Sequence, residues 1–453
     1  MRPLHARRAV GVMTVLLATS FPAQAQDLAP AGRLTLANAV ERALATHPSV
    51  AQARATQDEA EGAIGEAQAA WWPSVRLGGT ATQYQEPMIV LPLHDLTARS
   101  RPVFDRTSLQ GSVAANYLLF DGGARQARVR RARAQRQSTA AGLDATQQAL
   151  VGRCVAAFLE IRTQQEILAA QDARLTAFSA EQQRVERRLA AGRAARVELL
   201  RVEAGVARAQ ADRVRTHEAL AVAQSDLARL TGESPEVVAR QELDAVVLAD
   251  SALPDREAAL RTGTARNAAL RRAQAAASGS TDGASLARSA RWPELRAQGV
   301  YAGWSDANGN DALEWNAGLL LSYPLFTGGA TRRAVERADA MRRSAEAEQR
   351  TVELQVAQDA DRAFARVVET HALARSLAVA VDRSAEVARI ERLSLDAGSG
   401  TQTDYLRAEA DLLEVRSGLA QARHGEIAAR AELARVAGEL DSQWIARNLE
   451  ARP

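Results

Sequence analysis

The residue types that most often carry out catalysis are either missing from this sequence or scattered through it. All 57 basic residues are arginines, so there is no lysine to bind a phosphate in a P-loop or to form a Schiff base. No serine occupies a nucleophile elbow or a triad pattern. Six histidines lack a second potential ligand at metal-site spacing: His5, His47, His94, His217, His371 and His424. We therefore predict no catalytic residues, no metal and no cofactor.

Charged residues do recur at corresponding positions in two segments. Glu198 precedes Arg201 by three residues, and Asp404 precedes Arg407 by three residues. Each acid comes six residues after a glycine. A spacing of three places two side chains on the same face of a helix, where they form ion pairs. On this interpretation the four residues belong to solvated helix faces.

The first 25 residues are typical of a secretory signal peptide. Arginines precede a short apolar run, and Ala23-Gln24-Ala25 provides a cleavage pattern, so we expect the mature chain to start at Gln26. The formal net charge of +3 includes three signal arginines, which leaves the mature chain near zero (3 − 3 = 0) and gives no indication of nucleic acid binding. Cys154 is the only cysteine, so no disulfide framework is expected. No apolar stretch of about 18 residues follows, which argues against a transmembrane helix.

The remaining chain contains an internal repeat. Trp72-Pro73 recurs as Trp292-Pro293 at an offset of 220, and Phe120-Asp121-Gly122-Gly123 recurs as Phe326-Thr327-Gly328-Gly329 at an offset of 206. Since the second offset persists for more than a hundred residues, nearly all of the mature chain consists of two copies of one unit. The sequence therefore predicts two tandem repeats, residues 26–240 and 241–453.

Each repeat contains a predicted strand hairpin, at about 74–120 and about 294–326. Apolar and polar residues alternate over about ten residues in the second strand of each hairpin, from Ser108 to Leu119 and from Trp315 to Tyr323. The first strands, Ser74–Tyr84 and Glu294–Trp304, have a noisier alternation. This period of two is typical of strands in a membrane barrel.

Aromatic residues cluster at these hairpins although they form only 4% of the chain. Five of the six tryptophans lie at predicted strand ends, as expected of aromatic belts at the two membrane interfaces. A protein core would instead distribute them through the helices as well. The predicted membrane-interface residues are Trp71, Trp72, Trp292, Trp304, Trp315, Tyr84, Tyr117, Tyr301 and Tyr323.

Long helices follow each hairpin. The segment from Ala124 to about Ala190 has no proline, and 67 helical residues would extend roughly 100 Å. Thr331 to Leu395 has the same character. Gly192 and Gly398 are expected to end these helices as C-cap glycines, after which second helices of about 38 residues return.

Four strands per chain cannot close a barrel, because spanning barrels have at least about eight strands. An open sheet edge in lipid leaves backbone groups unsatisfied, at several kcal/mol each. The sequence therefore predicts a mixed α and β fold that oligomerises, and three copies would supply 12 strands.

The chain resembles the TolC-type outer-membrane efflux family, whose members are also called outer membrane factors. The resemblance is carried by Asn38-Ala39-Val40-x-x-Ala43-Leu44 before His47-Pro48, by the paired Phe-x-Gly-Gly turns and by the Ala-Gly helix ends. It covers essentially the whole mature chain. The cysteine of the lipidated branch of the family is missing after the signal peptide.

The resemblance implies a homotrimer in the outer membrane of a Gram-negative bacterium. Its four transmembrane β-strands per chain would complete a 12-stranded β-barrel, continuous with a periplasmic α-helical coiled-coil barrel. It implies docking to a periplasmic adaptor (membrane fusion) protein and to an inner-membrane ABC or proton-driven pump. The cargo, small molecules in multidrug-type efflux or a protein in type I secretion, stays open.

The resemblance also gives Glu198, Arg201, Asp404 and Arg407 a role. The bend after each long helix would lie at the periplasmic tip, where charged side chains surround a pore constriction. The two arginines argue against a purely acidic ring at this point. Two other protein classes remain as alternatives: a periplasmic coiled-coil adaptor or structural protein without membrane strands, and an exported enzyme.

Overall fold

The computed structural model describes residues 32–89, 103–257 and 266–452. The predicted signal peptide and the interior of the first hairpin loop lie outside these residues. The described part is mostly helical, as predicted. None of its helices combines the length and the apolar character needed to cross a membrane.

The N-terminal part of the described chain contains two strands and two helices. These elements are β1 (Arg33–Leu34), α1 (Leu36–Thr46), α2 (Pro48–Ala69) and β2 (Ser74–Gln83). The Thr35 hydroxyl caps α1 by accepting from the Asn38 amide at 3.1 Å, and Pro48 opens α2, a position where its missing N–H is not needed.

Two 67-residue helices dominate the molecule, and their ends are set by glycines. The first hairpin continues with β3 (Met88–Ile89), β4 (Val103–Phe104) and β5 (Thr107–Phe120), and then α3 (Ala124–Ala190) and α4 (Arg196–Thr231) follow. Gly123 precedes α3 with φ of 89°, and Gly192 follows it with φ of 68°, conformations that residues with a Cβ rarely adopt. The predicted bounds of α3 are confirmed.

Further small elements come before the second hairpin: α5 (Pro235–Arg240), β6 (Glu242–Leu243), β7 (Ala245–Leu248) and α6 (Ala268–Ser289). The chain then forms β8 (Glu294–Asp306), β9 (Asp311–Ser322), α7 (Ala330–Asp396) and α8 (Gln402–Val436). It ends in α9 (Ser442–Asn448) and β10 (Leu449–Arg452). At 67 residues, α7 also extends about 100 Å.

The two hairpins form one antiparallel sheet with the order β2-β5-β8-β9. The central pairing of β5 with β8 joins the two halves of the chain. Within the described residues, β2 and β9 are edge strands that pair on one side alone. Their backbone groups on the other side are open to a further strand.

The register separates an apolar face from a polar face. Leu77, Val113, Tyr301 and Trp315 are register partners across all four strands, so they share one face. The neighbouring row, on the opposite face, is Gly78, Ser112, Ala302 and Glu314.

A row of glycines crosses the apolar face. Gly79, Gly111 and Gly303 are register partners, and Leu313 continues the row on β9. They line a recess of about 600 Å³. The Leu313 side chain folds over Gly303, where an added Cβ would come within 2.9 Å of Leu313 Cδ2.

The main hydrophobic core lies at the middle of α3, where the short elements collect. Phe158 and Ile161 on α3 are fully buried and belong to one cluster with Val40 of α1 and Leu440. The pairs β1–β6 (parallel) and β7–β10 (antiparallel) flank this core. These strands were not predicted, because runs of two to four residues have no recognisable period.

Candidate functional site

Each long helix ends in a bend that returns the chain antiparallel to itself. At the first bend the Arg193 amide donates to the Arg188 carbonyl at 2.7 Å, and at the second the Ser399 amide donates to the Ser394 carbonyl at 3.0 Å. These 6→1 bonds satisfy carbonyls at the helix ends and fix both bends in the same geometry.

The two acids predicted at the constriction lie at the starts of the returning helices. The Glu198 carboxylate accepts from the Ala195 amide at 3.2 Å, and the Asp404 carboxylate accepts from the Thr401 hydroxyl at 2.6 Å. Both acids lie in the first turn, where they also stabilise the positive end of the helix dipole. Glu198 forms its ion pair with Arg188, at 3.6 Å between Oε2 and NH1.

The two arginines come together although they are far apart in sequence. Arg201 of α4 donates to the Thr403 hydroxyl of α8 at 2.9 Å. Arg201 and Arg407 both line a cavity between these helices. Because Glu198 pairs with Arg188 and Arg201 bonds Thr403, these two residues do not form the i,i+3 pair of the solvated-face interpretation.

A polar cluster that sequence reasoning missed also joins the bends. Glu181 of α3 is 6% exposed and accepts two hydrogen bonds from Arg184, at 2.8 and 3.0 Å. It accepts a third from the amide of Gln402 on α8, at 3.1 Å. Arg184 reaches Asp396 at 3.5 Å, at the end of α7. We call Glu181, Arg184, Asp396 and Gln402 the tip cluster.

The positive charge of Arg184 in the tip cluster is stabilised by its neighbours. The hydrogen bond to Glu181 raises the pKa of Arg184, so the guanidinium stays protonated. Beside the cluster, burial raises the pKa of Tyr405 to about 12, so its phenol stays neutral. An i,i+3 Glu–Arg pattern was visible in the sequence, but nothing there indicated Gln402 as its partner.

Most of the predicted interface aromatics are exposed in the protein. Trp72 is 77% exposed and Trp315 is 72% exposed, whereas Trp444, which was not predicted at the interface, is 8% exposed and packs in the core. Six other predicted residues are also exposed, and Trp304 is half-buried; the six are Trp71, Trp292, Tyr84, Tyr117, Tyr301 and Tyr323.

Trp304 departs from the others in its orientation. It pairs with Gln110 on β5 and with Ala312 on β9, so it lies in a row of the polar face. Tyr301 is three residues away on β8, and side chains an odd number of residues apart point to opposite faces. Trp304 therefore does not share the apolar face with Tyr301 and Trp315.

Trp71 has a structural partner at the junction of sheet and helix. The buried Arg125 guanidinium lies 4.3 Å from the centre of its ring and donates to the Leu118 and Leu119 carbonyls, at 2.7 and 3.1 Å. This arginine therefore attaches the start of α3 to the end of β5.

The described histidines and the cysteine are packed or surface residues; His5 and His94 lie outside the described residues. His424 contacts the Thr163 hydroxyl at 2.8 Å, and burial lowers its pKa. Burial also raises the pKa of Cys154 to about 12, so the thiol stays protonated. The described residues contain no group of three or more His, Cys, Asp or Glu placed to hold a metal ion.

The protein combines a sheet that has an apolar and a polar face with two helices of about 100 Å. Known proteins share this architecture. The sequence profile of the family described as "Outer membrane efflux protein" matches residues 39–233 and 260–439. The chain belongs to this family. The TolC-type resemblance predicted from the sequence is thereby confirmed.

Individual relatives cover most of this outer membrane efflux protein. Protein CyaE of Bordetella pertussis is 28% identical over 414 residues, which cover 85% of this chain and 81% of CyaE. The fold is similar to that of the outer membrane protein VceC from Vibrio cholerae (TM-score 0.76, 19% identity, 90% of this chain and 97% of VceC). It is also similar to the outer membrane channel CmeC from Campylobacter jejuni (TM-score 0.76, 12% identity, 91% and 88%).

Family membership gives the protein's location and general function. It is an outer-membrane channel component of an export system in a Gram-negative bacterium. Members of the family are trimeric channels that serve as transport components and work with adaptors and inner-membrane pumps.

Proposed function

We propose that three copies of this chain form one continuous tunnel, which passively conducts cargo out of the cell. The observation that carries the proposal is the four-stranded sheet, whose edge strands β2 and β9 pair on one side alone among the described residues. In lipid each unsatisfied backbone group costs several kcal/mol, so the edges must pair with strands of other copies. Three copies supply 12 strands, which is enough for a closed barrel.

The two faces of the sheet give the barrel its orientation. The face with Leu77, Val113, Tyr301 and Trp315 would contact lipid, and the opposite face would line an aqueous interior. The exposed aromatics, without Trp304, would form the belts at the two interfaces. We now expect Trp304 to face the interior.

The helices would extend the barrel into the periplasm. Repeats 26–240 and 241–453 each supply one long and one returning helix, so a trimer would have 12 helical stretches in a quasi-six-fold ring. At about 100 Å, this tube is long enough to reach a periplasmic adaptor protein. An inner-membrane ABC or proton-driven pump would supply the energy for transport.

The cargo would be selected before it reaches the tunnel. Since pump and adaptor recruit the cargo, one tunnel architecture serves both multidrug-type efflux and type I protein secretion. The alternative of a periplasmic adaptor without membrane strands is opposed by the four-stranded sheet and by the family match.

The bends would form the periplasmic constriction. Two contacts connect the first helix pair (α3 and α4) to the second (α7 and α8): Arg201–Thr403 and Glu181–Gln402. Contacts of this kind hold the pairs together at the tip and would keep a resting tunnel narrow. Glu198, Arg201, Asp404 and Arg407 would surround this constriction in each of the three copies.

Assembly provides the decisive test. The mature protein, extracted from outer membranes in mild detergent, should have about three times the mass of one chain by light scattering. Its electrophoretic migration should change on boiling, as a folded barrel unfolds. A monodisperse, water-soluble monomer would contradict the proposed tunnel.

A further inference from the structure

A cavity of about 330 Å³ lies where α3, α4 and α8 meet, near the bends. Its charged lining residues are Arg174 of α3, Arg201 and Arg208 of α4, and Arg407 of α8. None of the described residues that line it is acidic. We call it the basic cavity.

The arginines of the basic cavity are poorly compensated. The Arg174 Nε is buried and has no hydrogen-bond partner among the described residues. Burial lowers the pKa of Arg174, and the charge of Arg208 lowers it further, while Asp212 and Glu409 act in the opposite direction. Within the described chain, neither Arg208 nor Arg407 has a carboxylate oxygen within 4 Å. Four arginines therefore share one cavity whose described lining supplies no carboxylate.

The cavity is also built to a defined shape. The Arg174 guanidinium is fixed over the Phe178 ring, at 4.8 Å from the ring centre, and Phe178 is fully buried. Gly205 allows this close packing, because an added Cβ would lie 3.2 Å from Phe178 Cε2. Arg201 is held at the other side by its 2.9 Å bond to Thr403.

We propose that the basic cavity binds a small multivalent oxyanion, one that carries phosphate or carboxylate groups. Guanidinium groups match the geometry of these groups and donate paired hydrogen bonds to them. The volume is at the lower end of the range for small-ligand pockets. A bound anion would also relieve the repulsion between the arginines and would join α3, α4 and α8 just above the bends.

The experiment measures binding of inorganic phosphate to the purified protein in mild detergent, by isothermal titration calorimetry. Sodium chloride keeps the ionic strength constant, because non-specific attraction to arginines depends on salt. Malonate, a dicarboxylate, is titrated in a second series to separate phosphate recognition from general oxyanion recognition. The described lining residues belong to one copy of the chain. Failed phosphate binding by a protein that still forms trimers is therefore distinguishable from failure of the proposed tunnel.

The test variant is R208Q/R407Q, since both side chains are exposed and their replacement leaves the core intact. The matched control is R366Q, which also removes an exposed arginine, one that pairs with Glu369 on α7 far from the cavity. We expect phosphate affinity to fall at least tenfold in R208Q/R407Q and to stay within twofold in R366Q. The same ranking is expected for malonate if oxyanions in general are recognised.

Two results would overturn the proposal. One is equal phosphate affinity in the parent and R208Q/R407Q. The other is a parent protein that binds phosphate no better than chloride at matched ionic strength.

Discussion

The replacement Glu181→Ala tests whether the tip cluster holds the two bends together. The Glu181 carboxylate accepts two bonds from Arg184, within α3, and one from Gln402, on α8. The Gln402 bond is the one that connects the helix pairs, and a bond to a charged group is worth about 2 kcal/mol. Arg184 keeps Asp396 and the Leu395 carbonyl as partners, so the variant should still fold.

The expected effect on the tunnel follows from the three-fold assembly. If the three copies open the tip together, E181A lowers the stability of the closed state by about 6 kcal/mol, three times the contribution of one bond. A shift of about 5.5 kcal/mol converts an equilibrium of 1:99 into 99:1. E181A should therefore change a mostly closed channel into a mostly open one, with a large rise in single-channel conductance in planar bilayers and greater sensitivity of cells to large antibiotics.

Glu186→Ala is the matched control. Glu186 is an exposed acid on the same helix, and it accepts from Gln182 one turn away, at 2.9 Å, without crossing to the second pair. E186A should conduct like the parent. If E181A forms trimers but also conducts like the parent, the tip cluster does not restrain the bends, and the reasoning is refuted.

Three other predictions concern the bends, the core and the membrane surface. R201S/R407S should also raise bilayer conductance, since each copy loses the bond to Thr403, worth about 1 kcal/mol; unchanged conductance at low and high salt would make both arginines surface residues. Because the folded-state pKa of His424 lies below its ordinary value, its contribution to stability is present above about pH 6.5 and is lost as the pH falls further. The melting temperature should thus fall more between pH 7.5 and 5.5 in the parent than in H424Q, and equal falls would contradict this. Brominated lipid should strongly quench the fluorescence of single-tryptophan variants that retain Trp72, Trp292 or Trp315. It should only weakly quench variants that retain Trp304 or Trp444.

The long helices and the principal strands were predictable because their signals are local. Glycines with positive φ mark both ends of α3, and alternation over ten residues marks β5. The paired landmarks at offsets of 220 and 206 then fixed the order of the elements. The family resemblance, confirmed by the profile match, added the cellular location.

The contacts of the candidate site were not predictable in the same way. Gln402 and Glu181 are 221 residues apart, and their contact depends on how two helix pairs align. Arg201 was singled out for its charge, but its partner Thr403 lies on the other bend. Trp304 was predicted at the membrane interface because it lies next to a hairpin loop. The face of the sheet that it occupies depends on strand register, which the noisy alternation of β8 did not determine.

The glycine row on the apolar face has a consequence for the shape of the sheet. Gly79, Gly111 and Gly303 stand side by side on three strands, so a line without side chains runs across the strands. Glycine kinks at defined positions are what allow a sheet to bend sharply enough to close on itself. The row therefore acts as a crease, and a cylinder made from three such sheets would have its tightest curvature along three creases at one height.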